Sequence, residues 1–166
     1  MNKKVLLPSI LFSFFIFQFN SIVAQPASDE STIVNCNPKV EWRYEVKKIG
    51  DTEFDVVLQA AIADGWHLYG TQEVPNQIPI PTTVTFEKSD SYTTVGELIE
   101  SSKAEEKYDS TSAMKLFLFE KNATFTQRIK ILEDGAVVKT KIYFMLCNDH
   151  VCMPPCNQLI NVEVKK

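Results

Sequence analysis

Positive charge is in short supply. Seventeen lysines and arginines face 21 aspartates and glutamates, a formal net charge of −4. Such an acidic chain argues against a nucleic-acid partner. No stretch carries a convincing amphipathic helical period, and neither an internal repeat nor a low-complexity tract occurs in the 166 residues, so helical bundles and repeat arrays are excluded. Histidine is confined to His67 and His150, and cysteine to four positions. Those four are unevenly spread: Cys147, Cys152 and Cys156 fall within ten residues, and Cys36 stands alone near the start.

The one long uncharged run lies at the N-terminus, where Lys3 and Lys4 precede Val5–Ala24. A basic start, an apolar middle and Ile22-Val23-Ala24 before Gln25 form the pattern of a cleaved signal peptide over residues 1–24. The run is long enough for a membrane anchor, but Pro8, Ser9, Ser13, Gln18, Asn20 and Ser21 break it. No cysteine follows the cleavage point, which argues against a lipoprotein. Loss of Lys3 and Lys4 leaves the mature chain more acidic, with length enough for one domain and a sizeable core. Export sets an oxidising context in which cysteines are read first as disulfides, and four of them allow three full pairings.

Residues 25–37 are small and polar and read as a flexible leader before a domain over residues 38–166. Val40, Trp42, Tyr44 and Val46 alternate with charged residues as a half-buried strand does. Phe54, Val56, Leu58, Ala60 and Ile62 repeat at period two beyond the Gly50-Asp51 turn, and are expected to pair back on the first strand. Asp64-Gly65 then precedes a short piece, Trp66–Tyr69. Three prolines between Val74 and Pro81 exclude a central strand there, and Thr82–Glu87 is strand-like. Ser89–Asp109 is polar, with a short strand at Tyr92–Val95 and a long loop after it. Strands are expected at Met114–Phe119, Ala123–Leu132 and Val137–Leu146. The last two are joined by Glu133-Asp134-Gly135-Ala136, a hairpin signal. A final strand covers Gln158–Val164. Roughly eight or nine short strands without a helix predict an all-β, immunoglobulin-like antiparallel β-sandwich.

Cys147 ends one strand and Cys152 lies in the loop that returns to the next. Fully extended, the five steps between them span about 17 Å, far beyond the reach of a disulfide. The loop must therefore turn, and Asn148 and Asp149 are turn-initiating residues. Three readings of this cluster stand side by side. A redox-active disulfide needs an attacking thiolate, a nearby resolving thiol and access for a partner. Met153-Pro154-Pro155 would stiffen the exit, and His150 would favour a thiolate. A plain hairpin staple, in a secreted binding module without redox turnover, is the second reading, although so short a loop gains at most about 2–3 kcal/mol on closure. The third is a copper or zinc carrier, since Cys147, Cys152, Cys156, His150 and Met153 are soft ligands, though their spacing matches no zinc signature.

The run from Cys147 to Pro155 also resembles the active-site loop of the N-terminal periplasmic domain of the DsbD family of thiol:disulfide interchange proteins. Asp64-Gly65-Trp66-His67-Leu68-Tyr69 is similar to a second segment of that family, and the likeness covers roughly residues 38–165. The resemblance implies an immunoglobulin-like thiol-disulfide oxidoreductase of the protein-disulfide reductase type, without a cofactor or bound metal. A membrane thiol-disulfide conductor would reduce it. It would in turn reduce an extracytoplasmic disulfide isomerase or a cytochrome c maturation protein, in the periplasm. Cys152 would be the nucleophile and Cys147 the resolving thiol, with His67, Tyr69, His150 and Pro154 as neighbours. A shielding cap loop would match Glu97–Lys103, where the family's aromatic cap residue has no counterpart. The membrane and thioredoxin-like domains of the full-length family protein have no match here, so the electrons are expected from a separate protein.

Cys36 and Cys156 are extra to that pair. In an immunoglobulin-like sandwich the first strand begins at the end where the last loop lies, so the two are expected to form a structural disulfide. The loop closed would hold about 120 residues, for which chain entropy gives up to nearly 5 kcal/mol. Cys156 acting as a third exchanging thiol is the competing reading.

Overall fold

Alternating apolar and polar residues dominate the chain, and that period leaves one face of each strand to be buried. The computed structural model describes residues 33–74, 79–109 and 114–166. The expected signal peptide and most of the expected leader lie outside the described residues. Eleven strands occur: β1 (Val40–Lys48), β2 (Glu53–Ile62), β3 (His67–Tyr69), β4 (Thr83–Phe86), β5 (Tyr92–Glu100), β6 (Glu105–Asp109), β7 (Met114–Glu120), β8 (Asn122–Ile131), β9 (Ala136–Phe144), β10 (Leu146–Cys147) and β11 (Cys156–Val164). They form three antiparallel sheets, ordered β1-β2-β8-β5, β10-β3-β7-β6 and β11-β9-β4. No helix occurs among the described residues, and so none long and apolar enough to cross a membrane.

A single main core joins the sheets. Trp42, Val56, Leu58, Phe125 and Ile129 of the first sheet share it with Leu68, Phe119 and Leu146 of the second and Val138, Ile142, Phe144, Ile160 and Val162 of the third. Aromatic contacts run through it. Phe119 meets Phe125 edge-on at 5.8 Å, Trp42 lies 6.2 Å from Phe125, and Trp42 reaches Phe144 at 5.6 Å. Those four rings therefore link all three sheets.

β1 and β2 pair in register from Val40↔Ile62 to Lys48↔Phe54, as their shared alternation requires. Three expectations are corrected. The Glu133–Ala136 turn closes no hairpin: β8 pairs with β2 and β5, whereas β9 pairs with β11 and β4. Each strand has its own apolar face to bury, so the turn carries the chain from one sheet to another. The expected strand Val137–Leu146 divides at Met145, with β9 in the third sheet and β10 in the second.

The third correction concerns the long loop after Val95, including the stretch matched to a cap. Glu97–Glu100 continue β5 along β8 past a register shift between Val95 and Ile99. At that shift Gly96 adopts φ +69°, and the buried Gln127 amide donates to the carbonyls of Val95 and Gly96 at 3.1 and 3.4 Å. Ser101 and Ser102 stay beside β8 through bonds to Thr126 and Thr124. β5 and β6 are both edge strands with mostly exposed side chains, so neither has the buried alternation by which strands are read.

Residues 33–37 of the expected leader are tied down. Gln158, 1% exposed, accepts from Cys36 N at 3.0 Å and donates to the Val34 carbonyl at 3.1 Å. Asn35 Oδ1 accepts from Trp42 N at 2.9 Å.

The turn that leads from β2 into β3 rests on Gly65 at φ +76°, where an added Cβ would meet no atom within 4 Å. Any cost of a side chain there is conformational. Gly65→Ala should lower stability by about 1–2 kcal/mol, whereas Gly50→Ala, outside that region of φ, should change it little. Urea midpoints of the two variants check this, and equal midpoints would contradict it.

Candidate functional site

The chain leaves the third sheet at Met145 and enters the second at Leu146. Leu146 pairs with Leu68 and Cys147 with His67. Successive side chains point to opposite faces, so Leu146, fully buried, joins the main core while Cys147 turns to the other face of the second sheet. There it lies in a smaller apolar cluster with Tyr69, Leu116 and Leu118, against which Val74, Met114 and Met145 pack.

Beyond Cys147 the chain reverses at once. Asn148 N donates to the Val151 carbonyl at 2.9 Å. The Asn148 side-chain oxygen accepts from His150 N at 2.9 Å and from Val151 N at 2.8 Å, the self-satisfying turn that asparagine favours. Met153 N then donates to the Leu146 carbonyl at 2.8 Å. Cys152 is thereby set opposite Cys147 in an isolated antiparallel bridge. The two are disulfide-bonded with Cα atoms 4.0 Å apart. Pro154 and Pro155 follow, both exposed, and Cys156 opens β11 opposite Phe144. Cys156 is bonded to Cys36 at a Cα separation of 6.2 Å.

The two sulfurs of the short loop differ in exposure. Cys147 is 1% exposed, whereas Cys152 is exposed, as is Val151. A thiol or disulfide approaching from solvent meets Cys152 first. His150 is exposed at the turn, and its backbone N–H serves the Asn148 cap.

His67 stands between Cys147 and Glu120. It is the cross-strand partner of Cys147 on one side and of Glu120 on the other, and directly opposed residues share a face. Its Nε2 lies 3.2 Å from the Tyr69 hydroxyl, with the rings edge-to-face at 5.3 Å. Burial holds the imidazole pKa below its ordinary value. Lys107 pushes it the same way, and Glu120 and Asp149 oppose. Lys107 and Glu120 form an ion pair across β6 and β7. The hydrogen bond between them raises the ammonium pKa and lowers that of the carboxylate. Sequence reading did not find Lys107 or Glu120. Both lie in edge or outward positions with no local motif; strand register brings Glu120 opposite His67, and Lys107, whose own register partner is Leu116, joins the row through its ion pair with Glu120.

All four sulfurs are engaged in disulfides. Among the described residues, no group of three or more histidine, cysteine, aspartate or glutamate side chains is placed to hold a metal ion.

An immunoglobulin-like sandwich with a disulfide loop presenting one exposed and one buried sulfur defines a class: small β domains built around a thiol–disulfide pair. The chain belongs to the family described as thiol:disulfide interchange protein DsbD, N-terminal, which matches residues 37–164. Among solved structures it is similar to the N-terminal periplasmic domain of ScsB from Proteus mirabilis, with TM-score 0.54 and 15% identity over 78% of this chain; the chain spans about half, 48%, of that one. It is also similar to the DsbD N-terminal domain of Neisseria meningitidis in the reduced form, with TM-score 0.47 and 19% identity over 75% of this chain and 86% of that one. A third match, a complex between the DsbD and PilB N-terminal domains of the same organism, shows 20% identity, TM-score 0.46 and coverage of 72% and 80%. No curated protein sequence is significantly similar to the chain.

The exposure difference has a direct chemical consequence. After selective reduction of the loop disulfide, iodoacetamide should modify Cys152 at least about tenfold faster than Cys147, because reactivity follows access as well as thiolate character. Timed alkylation with peptide mapping measures the ratio, and equal rates would contradict the placement.

Proposed function

We propose that the protein is an exported thiol–disulfide exchange protein that passes reducing equivalents through Cys147 and Cys152. The observation that carries this reading is the pair's asymmetry. Exchange needs one sulfur open to attack and a second held close but guarded, ready to resolve the mixed disulfide. Cys152 has the exposure of the first and Cys147 the burial of the second. Family membership supports the same chemistry. A mere staple across so short a loop stabilises the fold by at most about 2–3 kcal/mol, which favours the redox reading.

Residues 1–24 act as the export signal, and the periplasm is the working compartment, as it is for the ScsB domain. A membrane thiol-disulfide conductor supplies the electrons. An extracytoplasmic disulfide isomerase or cytochrome c maturation protein accepts them. The Neisseria DsbD domain, which forms a complex with the PilB N-terminal domain, illustrates a domain-to-domain encounter of this kind. Cys36–Cys156 is the structural bridge. It ties the segment before β1 to the start of β11 and leaves the loop pair to cycle.

Variants that separate the two sulfurs test the assignment. Cys152→Ser should abolish mixed disulfides with any partner, and Cys147→Ala should accumulate them because resolution is lost. Equal trapping by both variants, or reversed roles, would overturn it. The two bridges should also differ in potential. Cys147–Cys152 is expected to be more oxidising than about −300 mV, the range below which structural disulfides lie, and Cys36–Cys156 more reducing. Equilibration with glutathione for the first and with dithiothreitol for the second, each followed by peptide mapping, reads both.

A further inference from the structure

We infer that His67 is the proton acceptor for the buried thiol Cys147 in the resolving step, held for that task in a cross-strand row that runs Cys147, His67, Glu120 and ends on the cation of Lys107. This deepens the exchange function proposed above and rests on it.

The inference starts from a transport problem. Cys147 is 1% exposed among Tyr69, Leu116 and Leu118, so bulk water has little access to its thiol proton. Yet the sulfur must lose that proton to attack. His67 is the residue directly opposite it. Directly opposed side chains on one face of an antiparallel pair have Cβ atoms about 4.5–5.5 Å apart. The imidazole is half-buried and meets the Tyr69 hydroxyl at Nε2. Its other strand neighbour, Glu120, is exposed and ion-paired with Lys107. The row therefore runs from a buried sulfur to a solvated carboxylate, with the one titratable ring between them. The charged groups facing the ring are Lys107 from β6, Glu120 from β7 and Asp149 from the turn, and Tyr69 is its neighbour on β3. Burial and Lys107 keep the ring neutral at ordinary pH, the form that accepts a proton. Glu120 and Asp149 favour the imidazolium once it forms.

The reaction balances as two exchanges. The Cys152 thiolate attacks a partner disulfide, whose S–S bond breaks to release one partner thiolate and leave a mixed disulfide on Cys152. Cys147 then gives its proton to His67 as its sulfur attacks Cys152. The mixed disulfide breaks, the second partner thiolate departs, and the Cys147–Cys152 bond forms. Two electrons pass from the protein to the partner, and the proton leaves the imidazolium for solvent on the Glu120 side.

The test uses the full chain, reduced with one equivalent of dithiothreitol so that mapping finds thiols only at Cys147 and Cys152. It is mixed with dithiobis(nitrobenzoate), which releases one coloured thiolate in each exchange. The first phase reports attack by Cys152 and the second reports resolution by Cys147. His67→Gln should leave the first phase unchanged and slow the second at least about tenfold at neutral pH. In the natural protein the second phase should rise with pH through an inflection below the usual histidine value of about 6.5. In His67→Gln that inflection should be lost, and the rate should climb toward the ionisation of the thiol itself, about 8.5 when unperturbed. Lys107→Ala removes a cation and should move the inflection up. Glu120→Gln removes an anion and should move it down. Both residues are exposed, so these variants keep the test decisive even where His67→Gln folds poorly. An unchanged second phase in His67→Gln, or an inflection that stays put in both charge variants, would overturn the inference while leaving the exchange function standing. Absence of the first phase in the natural protein would refute the exchange function, and the inference with it.

Discussion

The site depends on the change of sheet at Met145. β9 is anchored in the third sheet by Ala136, Val138, Ile142 and Phe144, all in the main core. One residue later the chain joins the second sheet, where Leu146 enters the same core and Cys147 faces the opposite way. Had β9 simply continued in its own sheet, the period of two would have set Cys147 beside other strands, without His67 opposite. The crossover therefore decides which residues meet the sulfur. It also shapes the connection to β11, because residues 145–155 must leave, turn and return to pair Cys156 with Phe144.

That excursion is stiffened from both ends. Asn148 caps the turn with its own side chain, and Met153 bonds back to Leu146. Two prolines follow, which fix φ and ask for no ladder hydrogen bonds. At the far end Cys156 is held by β9, by its bond to Cys36 and by the neighbouring clamp of Gln158 on Val34 and Cys36. The loop disulfide thus lies between anchored points. Repeated cycling of two sulfurs needs such a frame, since the reduced pair must stay within bonding distance. The guarded position of Cys147 and the exposed position of Cys152 follow from the same geometry, because one ends a strand over an apolar cluster and the other stands on the outer side of the turn.

Much was determined by the sequence itself. Apolar residues at period two marked β1, β2, β7, β8, β9 and β11, since each of those strands must bury one face. The absence of helical periodicity excluded other fold classes. The spacing of Cys147 and Cys152 around Asn148, with Met153-Pro154-Pro155 after it, was enough to propose a turn bridged by sulfur, because turn chemistry and disulfide reach are both local. The likeness of Asp64–Tyr69 to a known segment pointed to His67 and Tyr69 without saying what they meet.

Tertiary structure decided the rest. β5 and β6 are exposed edges: only the start of β5, Tyr92–Val95, was legible, the bulge at Gly96 disguised its continuation, and no alternation announced β6. The Glu133–Ala136 turn has the chemistry of a hairpin, but a turn cannot specify whether its two strands pair or part; only the burial of both faces across the sandwich does. Lys107 and Glu120 belong to strands distant in sequence from the cysteine loop, and nothing in their neighbourhoods suggests a site. Glu120 is set beside His67 by register, a property of paired strands rather than of any one segment, and Lys107 follows through its ion pair with Glu120. The sequence names the sulfur pair because two cysteines and a turn are a local matter. The surroundings of the pair are assembled from four strands and a loop, and only the folded chain brings them together.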